Sequence, residues 1–248
     1  MVEATHRGRS PVVVLAAVPQ ETLRLRELLE LTPSDGLSPF AAFSGGGDTL
    51  LLHTGVGKVN AASAATALLE RITPRAIIVC GCGGAYPHSG LRVGDLAVAT
   101  AEIFGDEGVS TPTGFQDMAA LDLPLLTTIS QTFFNTFPVN TLCVEHLQST
   151  LDATAAACGA RCVSGPFVTV STCSGRAALG AELAQRTGGI CENMEGAAIA
   201  SVCTRYTIPL LEIRGISNLT EDRDLTRWDL RGAATLAQQA VIDLLPLL

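Results

Sequence analysis

The chain has 248 residues, 47% of them hydrophobic and 16% charged, and 24 acidic against 16 basic residues give a formal net charge of −8. A chain of this length and composition buries a large apolar core, which excludes global disorder, and its acidic balance leaves no basic face for a nucleic-acid backbone. The apolar stretch 12–18 is far shorter than the roughly 20 residues that a membrane-spanning helix needs, so we expect no membrane partner.

The N-terminal leader and the cysteines indicate where the protein is located, and the histidines indicate whether it binds a metal. Residues 1–10 are polar, which predicts a loose N-terminal leader and not a secretion signal, followed by one domain over 11–248. The eight cysteines include no C-x-x-C pair and are typical of free thiols in a reducing compartment. The four histidines lack ligand spacing, so we predict no metal and no cofactor. A cytoplasmic protein is expected.

The first part of the chain alternates predicted strands and helices. In chain order these are a strand over 11–17, a helix over 21–31, a strand over 49–53, an alanine-rich helix from 58 to about 71, and a buried strand over 75–80 that ends in a glycine turn at 81–84. Such alternation indicates an α/β fold with a largely parallel sheet that is covered on both faces.

The second part is less regular. It contains a predicted strand over 93–101, a glycine-rich loop over 104–115, a helix over 144–159, a strand over 161–171, a helix over 195–206, a strand over 210–216 and an amphipathic helix over 226–245. No linker or repeat separates these elements, which favours a single domain.

Four short segments have the composition of a ligand site. Residues 19–21, 81–84 and 214–218 follow predicted strands, at the sheet edge where open α/β folds bind ligands, and residues 192–196 precede a helix. A single glycine turn after a strand is more often geometry than function. The combination is more specific than any one of them.

The same segments resemble the nucleoside phosphorylase and nucleosidase superfamily. The similar motifs are GVGKVNA at 55–61, GCGGAY at 81–86, VGDL at 93–96, NMEGAAIA at 193–200 and RGISN at 214–218. The resemblance implies a three-layer α/β fold whose central mixed, mostly parallel twisted sheet is flanked by helices. FGDEGV at 104–109, TPTGF at 111–115, Arg223, Asp224 and Trp228 look most like the futalosine hydrolase branch, whose members release hypoxanthine.

The resemblance implies two acidic residues and a methionine at the sugar. Glu21 would activate the attacking water as a general base, Glu195 would accept hydrogen bonds from the ribose hydroxyls, and Met194 would pack on the sugar. Without the resemblance, Glu21 could equally be a first-turn helix acid.

The resemblance places Asn218 at the purine N7, where adenine-releasing nucleosidases have an aspartate. An amide cannot deliver a full proton, but it can hydrogen-bond to N7 and to a 6-oxo group. Hypoxanthine is therefore the better-matched leaving group, although an asparagine at a strand end can also serve only to close a turn.

Further substrate contacts are implied by the resemblance alone. Arg214 would support Glu195, Ser217 would touch the base or Asn218, and the flap residue Trp228 would close over the substrate, unless it packs in the core. The chain departs from the family pattern at Cys173 and Ser174, where nucleosidases have an aromatic and an aliphatic residue at the base, so we expect Phe104 or Phe167 to stack on the purine instead. The remaining contacts are Val56, Cys82, Gly83, Thr172 and Ser174.

Phosphorylases of the superfamily hold phosphate with arginines and a serine, and two of those positions differ in this chain. They are Val79 and Cys82, and a buried valine cannot hold a phosphate dianion. Arg24 remains a possible anion ligand. Hydrolysis is thus favoured over phosphorolysis, with a methylthioadenosine/adenosylhomocysteine nucleosidase or a purine nucleoside phosphorylase as alternatives. We expect a small-molecule purine nucleoside as substrate and a homodimer or larger even homo-oligomer.

Two classes outside these fit less well. A dinucleotide oxidoreductase requires G-x-G-x-x-G after the first strand, where the chain has Ala17, Val18 and Pro19. A non-catalytic binding protein of the same fold would not need both Glu21 and Glu195.

Overall fold

The computed structural model describes residues 9–45, 47–139, 142 and 147–248. The predictions for the leader before residue 9, for Cys143 and His146, and for the start of the helix at 144 lie outside the described residues. No helix in the described part combines the length and the hydropathy needed to cross a membrane.

The described residues form fourteen strands and six α-helices, with short 3-10 turns between some of them. The strands are β1 (Val12–Ala16), β2 (Thr32–Ser34), β3 (Ala42–Ser44), β4 (Thr49–His53), β5 (Ala76–Ala85), β6 (Leu96–Phe104), β7 (Gly108–Thr111), β8 (Gly114–Asp117), β9 (Leu126–Thr127), β10 (Thr132–Phe133), β11 (Thr136–Pro138), β12 (Cys162–Thr169), β13 (Cys191–Asn193) and β14 (Leu210–Leu219). The helices are α1 (Leu23–Leu28), α2 (Lys58–Leu69), α3 (Leu147–Ala157), α4 (Ala177–Thr187), α5 (Gly196–Tyr206) and α6 (Leu230–Leu244).

One mixed sheet of ten strands forms the centre of the fold. β1 lies between β4 and β5 and is parallel to both, and β14 is parallel to β5 over the longest register. β6 pairs with β12, β12 with β13, β13 with β5, and β14 with both β5 and β6, so these five strands close a ring. The predicted α/β fold with a mixed, mostly parallel sheet is confirmed, and the ring is an addition to it.

Helices cover both faces of the sheet. Successive side chains of a strand point to opposite faces, so an apolar strand presents apolar side chains on both faces, and helices bury them. Val13 and Leu15 of β1 pack in the apolar cluster that contains α2 and α5. Val12 and Val14 point the other way, into the cluster that contains residues of α1, α3 and α6. A strand buried on both faces reads as an unbroken apolar run, which is why β1 was predictable from the sequence.

The glycine segment at 81–84 is not a turn after a strand, as predicted, but the second half of β5. A side-chain carbon at Gly81 would lie 2.6 Å from Oε1 of Glu21, and one at Gly83 would lie 2.4 Å from Sγ of Cys191. These glycines therefore allow neighbouring groups to approach the strand closely. Similarly, residues 214–218 are part of β14, which continues to Leu219.

Several other boundaries also differ from the prediction. The helix expected over 21–31 is shorter, because a 3-10 turn at Pro19–Glu21 precedes α1. The loop expected over 104–115 contains the β7–β8 hairpin, and α4 and β13 were not predicted. The last helix begins at Leu230, where the carboxylate of Asp229 caps it by accepting from the N–H of Gly232 at 2.7 Å.

Candidate active site

A pocket of about 290 Å³ lies beside the second halves of β5 and β14, next to the turn that follows β1. Eleven of the thirteen predicted site residues line it. They are Glu21, Val56, Cys82, Gly83, Ser174, Met194, Glu195, Arg214, Ser217, Asn218 and Trp228. Residues from seven separate segments of the sequence therefore meet in one pocket.

Phe104 and Thr172 do not line the pocket. The Phe104 ring packs edge-on against Phe137, with 5.8 Å between centroids, and lies below Nζ of Lys58; Thr172 is exposed. Phe167 is fully buried in the core. Neither Phe104 nor Phe167 therefore lines the pocket in which a base was expected to stack on one of them, and Trp228 supplies the aromatic ring among the described lining residues.

Glu21 enters the pocket from the 3-10 turn after β1 and is only 8% exposed. Its Oε1 accepts a hydrogen bond from the N–H of Cys82 at 2.9 Å, and Oε2 accepts from the N–H groups of Ala17 and Val18 at 3.1 and 3.3 Å. Burial raises the pKa of the Glu21 carboxyl, while Arg214 and the Cys82 N–H act in the opposite direction. A fixed carboxylate with a raised pKa has the properties of a general base.

Glu195 precedes α5 and is connected to Arg214 and to the loop before α2. Its Oε1 accepts from the N–H of Gly57 at 3.0 Å, and Oε2 lies 3.5 Å from Nη1 of Arg214. The same Nη1 donates to the carbonyl of Cys82 at 3.3 Å. Arg214 is 2% exposed, so this cation is part of the pocket floor.

Ser217 and Asn218 form a hydrogen-bonded pair at the end of β14. The Ser217 hydroxyl donates to Oδ1 of Asn218 at 2.8 Å, and Nδ2 of Asn218 donates to the carbonyl of Leu219 at 3.1 Å. The amide nitrogen carries a second N–H, for which the described residues provide no acceptor, and Asn218 lines the pocket.

Glu192 lines the pocket as well, although no role was predicted for it. Its Oε1 accepts from the N–H of Ser174 at 2.9 Å, and its Oε2 accepts from the hydroxyls of Ser174 and Tyr86 at 2.6 and 3.4 Å. Burial raises the pKa of Glu192, and the bonds from Ser174 oppose this. Glu192 thus fixes the loop around Ser174. Its position immediately before the NMEG segment was the available signal.

An arginine and a tryptophan stand together at the pocket. The guanidinium carbon of Arg223 lies 4.8 Å from the centroid of the Trp228 ring, and both residues belong to the lining. Arg223 is exposed, and it makes no ion pair with any described residue. Arg223 belongs to the motifs that resemble the futalosine hydrolase branch, but the resemblance implies no role for it.

The positions discussed as phosphate ligands offer no anion site here. Val79 lies in the core at 2% exposure. Arg24 is outside the pocket lining and donates to Oε1 of Gln239 at 2.6 Å. Burial raises the pKa of the Cys82 thiol to about 12, so the thiol is neutral. A phosphate dianion in this pocket would also face Glu21 and Glu195.

Three acidic residues of the FGDEGV segment and the Arg223–Asp224 motif, namely Asp106, Glu107 and Asp224, lie outside the pocket lining and have loop and capping roles. Asp106 and Glu107 pair with Lys58, with oxygen to Nζ distances of 2.6 and 2.7 Å, and Asp106 also accepts from the N–H of Ser171 at 2.6 Å. Asp224 accepts from the N–H of Thr226 at 3.0 Å at the start of a 3-10 turn.

The chain is similar to known proteins over most of its length. A family model described as "Phosphorylase superfamily" matches residues 11–246. The futalosine hydrolase of Thermus thermophilus is 31% identical over 194 residues, covering 78% of this chain and 80% of that protein. The 5′-methylthioadenosine/S-adenosylhomocysteine nucleosidase of Mycobacterium bovis is 30% identical over 256 residues, covering 96% and 97%.

A solved structure has the same fold. The complex of 5′-methylthioadenosine/S-adenosylhomocysteine nucleosidase from Neisseria meningitidis with methylthio-immucillin-A has a TM-score of 0.78 at 24% identity, covering 96% of this chain and 100% of that one. Overall similarity therefore does not separate the two named activities, and the distinction rests on individual residues of the pocket.

Proposed function

The chain belongs to the phosphorylase superfamily and is a hydrolase of N-glycosyl compounds, and we propose that it cleaves futalosine to hypoxanthine and dehypoxanthine futalosine. The observation that carries the choice of substrate is the amide of Asn218, which Ser217 holds with an N–H free to donate. The family match over 11–246 supports one catalytic domain over 11–248.

Glu21 is the general base in this proposal. As the bond between C1′ of the ribose and N9 of the purine breaks, its electron pair passes to the purine and C1′ becomes cationic. Water adds to C1′, and its proton passes to the Glu21 carboxylate. The N–H groups of Ala17, Val18 and Cys82 hold the carboxylate, so little reorganisation is needed during the reaction.

Glu195 binds the sugar. Its carboxylate accepts from the 2′ and 3′ hydroxyls, while Gly57 and Arg214 fix its orientation from the protein side. The contact with Arg214 is long, at 3.5 Å, which leaves Oε2 able to accept a shorter hydrogen bond from ribose. Met194 packs against the sugar ring.

Asn218 stabilises the leaving group. Its free N–H donates to N7, where negative charge accumulates as the glycosidic bond breaks, and the amide carries no charge that would repel a 6-oxo group. Hypoxanthine distributes this charge onto O6 and leaves as a partly anionic base. Adenine has no such oxygen and is served better by an acid.

The Arg223–Trp228 pair supports a substrate with an anionic aromatic tail. Futalosine carries a carboxylated aromatic group on the 5′ side of its ribose, whereas methylthioadenosine carries a neutral thioether there. The unpaired guanidinium of Arg223 suits the carboxylate, and the Trp228 ring suits the aromatic group. The pair thus gives a second reason to prefer futalosine.

Replacing Arg223 by glutamine is expected to raise KM for futalosine about tenfold and to leave KM for inosine, which has no tail, within about twofold. Steady-state kinetics with both nucleosides measure the effect. Arg231→Gln is the matched control, because Arg231 is exposed on α6 outside the pocket lining. An equal rise of KM for both nucleosides in Arg223→Gln would remove this role.

Cleavage is expected to proceed at the same rate with and without phosphate, and the sugar product is expected to carry a free anomeric hydroxyl. Val79 and the distant Arg24 provide no phosphate ligand. Product identification by mass spectrometry after incubation in phosphate-free and phosphate-containing buffer checks this. A phosphate requirement with a sugar 1-phosphate product would establish a phosphorylase instead.

The second candidate is a methylthioadenosine/adenosylhomocysteine nucleosidase, since a relative with that name matches almost the whole chain. The deciding experiment incubates the protein with futalosine, inosine, adenosylhomocysteine and methylthioadenosine and identifies the base released from each. The fastest turnover is expected for futalosine; fastest release of adenine would select the second candidate. The homo-oligomeric state and the cytoplasmic location stay predictions.

A further inference from the structure

Two buried glutamates lie below the pocket, and the proposed mechanism uses neither of them. Glu102 on β6 and Glu212 on β14 are both 0% exposed. Each belongs to a strand of the closed five-strand ring, and the neighbouring strands β12 and β13 of that ring contribute polar side chains to the same cluster. Two carboxyl groups at such depth require an account of their charge.

Glu102 is bound by neutral donors. The hydroxyl of Thr169 donates to its Oε2 at 2.7 Å, and Nδ2 of Asn193 donates to its Oε1 at 2.6 Å. Both partners are themselves held by N–H groups at the start of α5. Oδ1 of Asn193 accepts from the N–H groups of residues 195 and 196, and the hydroxyl oxygen of Thr169 accepts from the N–H of residue 197. No cation contacts Glu102 among the described residues.

Glu212, in contrast, is bound by a cation on one side and by nothing on the other. Its Oε1 lies 2.8 Å from both Nε and Nη2 of Arg214. Its Oε2 is buried and has no hydrogen-bond partner among the described residues. A side-chain carbon at Gly196 would lie 2.1 Å from Oε1 of Glu102 and 2.4 Å from Oε2 of Glu212, so the two oxygens border the same small space.

A hydrogen atom on Glu102 accounts for these observations together. Two ionised carboxylates facing each other in a dry interior would repel, and the orphaned Oε2 of Glu212 would lack a donor. If Glu102 is a carboxylic acid, its O–H supplies that donor and the pair keeps a single negative charge. The charge stays on Glu212 because Arg214 lies there.

We propose that Glu102 is a carboxylic acid which donates to Oε2 of Glu212, and that the Glu212 carboxylate is thereby the positioning residue that holds Arg214 beneath the ribose-binding Glu195. Burial and the neighbouring Glu212 raise the pKa of Glu102 well above its ordinary value, in agreement with this assignment. The role of Glu195 rests on the proposed function; the protonation of Glu102 does not.

The distances indicate what the pair does for the pocket. Arg214 lies closer to Glu212, at 2.8 Å, than to Glu195 or to the Cys82 carbonyl, at 3.5 and 3.3 Å. Glu212 is therefore its principal anchor. With Arg214 held from below, Glu195 is oriented without being strongly occupied, and its carboxylate stays available to the sugar hydroxyls.

Two glutamine variants distinguish the members of the pair. Glu102→Gln keeps an uncharged side chain of the same size next to Glu212 and leaves the Glu212 carboxylate that faces Arg214 intact, so kcat and KM are expected to stay within about threefold. Glu212→Gln removes the carboxylate that faces Arg214, and KM is expected to rise about tenfold with a smaller change in kcat. The substrate is whichever nucleoside the wild type cleaves fastest.

Infrared spectroscopy tests the proton without any substrate. At about pH 8, ordinary glutamates are ionised. The difference spectrum of wild type minus Glu102→Gln is expected to show the carbonyl band of a protonated carboxyl group; a carboxylate band in its place would overturn the proposal. Equal kinetic losses in both variants, or the larger loss in Glu102→Gln, would overturn it as well.

The spectrum also keeps the proposal testable if Glu212→Gln does not fold, because it needs only the wild type and Glu102→Gln. Its outcome is independent of the substrate. Release of adenine and not hypoxanthine would contradict the proposed function. The protonation of Glu102 would still be tested by the infrared carbonyl band.

Discussion

Replacing Glu21 by glutamine is expected to lower kcat about 100-fold or more while KM changes little. Glutamine keeps the size of the side chain, and its single oxygen can accept either from the N–H of Cys82 or from the N–H groups of Ala17 and Val18, but it cannot take a proton from water. A group that acts only in the transition state affects kcat and not binding. Steady-state kinetics and binding of a substrate analogue separate the two quantities.

The pH dependence provides a second check on the same residue. The base works as a carboxylate, so activity falls as the pH is lowered through its pKa. Because burial raises the pKa of Glu21, the acid limb of the wild-type profile of kcat/KM is expected at a higher pH than an ordinary glutamate would give. Glu21→Gln should lack this limb in its residual activity.

The matched control for this variant is Glu27→Gln. Glu27 is exposed on the neighbouring helix α1, and its replacement should leave kcat and the profile unchanged. Turnover by Glu21→Gln at the rate of this control would remove Glu21 from the mechanism.

Replacing Asn218 by aspartate is expected to shift the preference for 6-aminopurine over 6-oxopurine nucleosides by about 10- to 100-fold, the usual effect of one mismatched buried polar contact. The ionised carboxylate repels O6 of hypoxanthine and has lost the N–H that donates to N7. When protonated, it can donate to N7 of adenine, and its other oxygen can accept from the amino group. Release of the 6-oxopurine should therefore fall, and release of adenine should be spared or should rise.

The position of the amide makes this variant informative. In the wild type, Nδ2 of Asn218 donates to the carbonyl of Leu219, so an aspartate places an oxygen next to that carbonyl oxygen, which favours the protonated acid. The ratio of kcat/KM for inosine and adenosine, measured in both proteins, cancels any general loss of stability. An unchanged ratio would separate Asn218 from base recognition.

Residues at the ends of motifs could be predicted from the sequence, whereas residues that act through the interior could not. Glu21 and Glu195 stand beside apolar runs and glycine segments. The strands and helices next to them could therefore be predicted, and so could the edge of the sheet at which these residues lie. The strand β4 over 49–53 was predicted with its observed limits for the same reason. Apolar patterns report which face is buried, and motif residues report where the chain turns towards a ligand.

Glu102, Glu212 and Glu192 were not predicted because their partners are remote in sequence. A glutamate within an apolar strand is a signal of a buried polar cluster, but Arg214 alone could be placed next to Glu212 from its spacing along the same strand. That β6 would approach β14 depends on the closure of the ring, which no local pattern encodes. The same limit applies to Phe104, whose role was inferred from a motif and whose ring packs against Phe137, outside the pocket lining.

The closed ring of five strands also determines when the pocket can exist as the chain folds. On one side β5 pairs with β1, and on the other side it pairs with β14. The pairing with β14 places Ile77 opposite Leu210, two residues that are far apart in the sequence. Bringing such distant segments together costs loop-closure entropy before their contacts repay it, so this pairing belongs to the slow part of folding. A nascent chain that has not yet delivered β14 has neither Arg214 nor Asn218 and leaves one edge of β5 unpaired. Catalytic competence and the protection of that edge therefore arise in one step, when β14 pairs with β5.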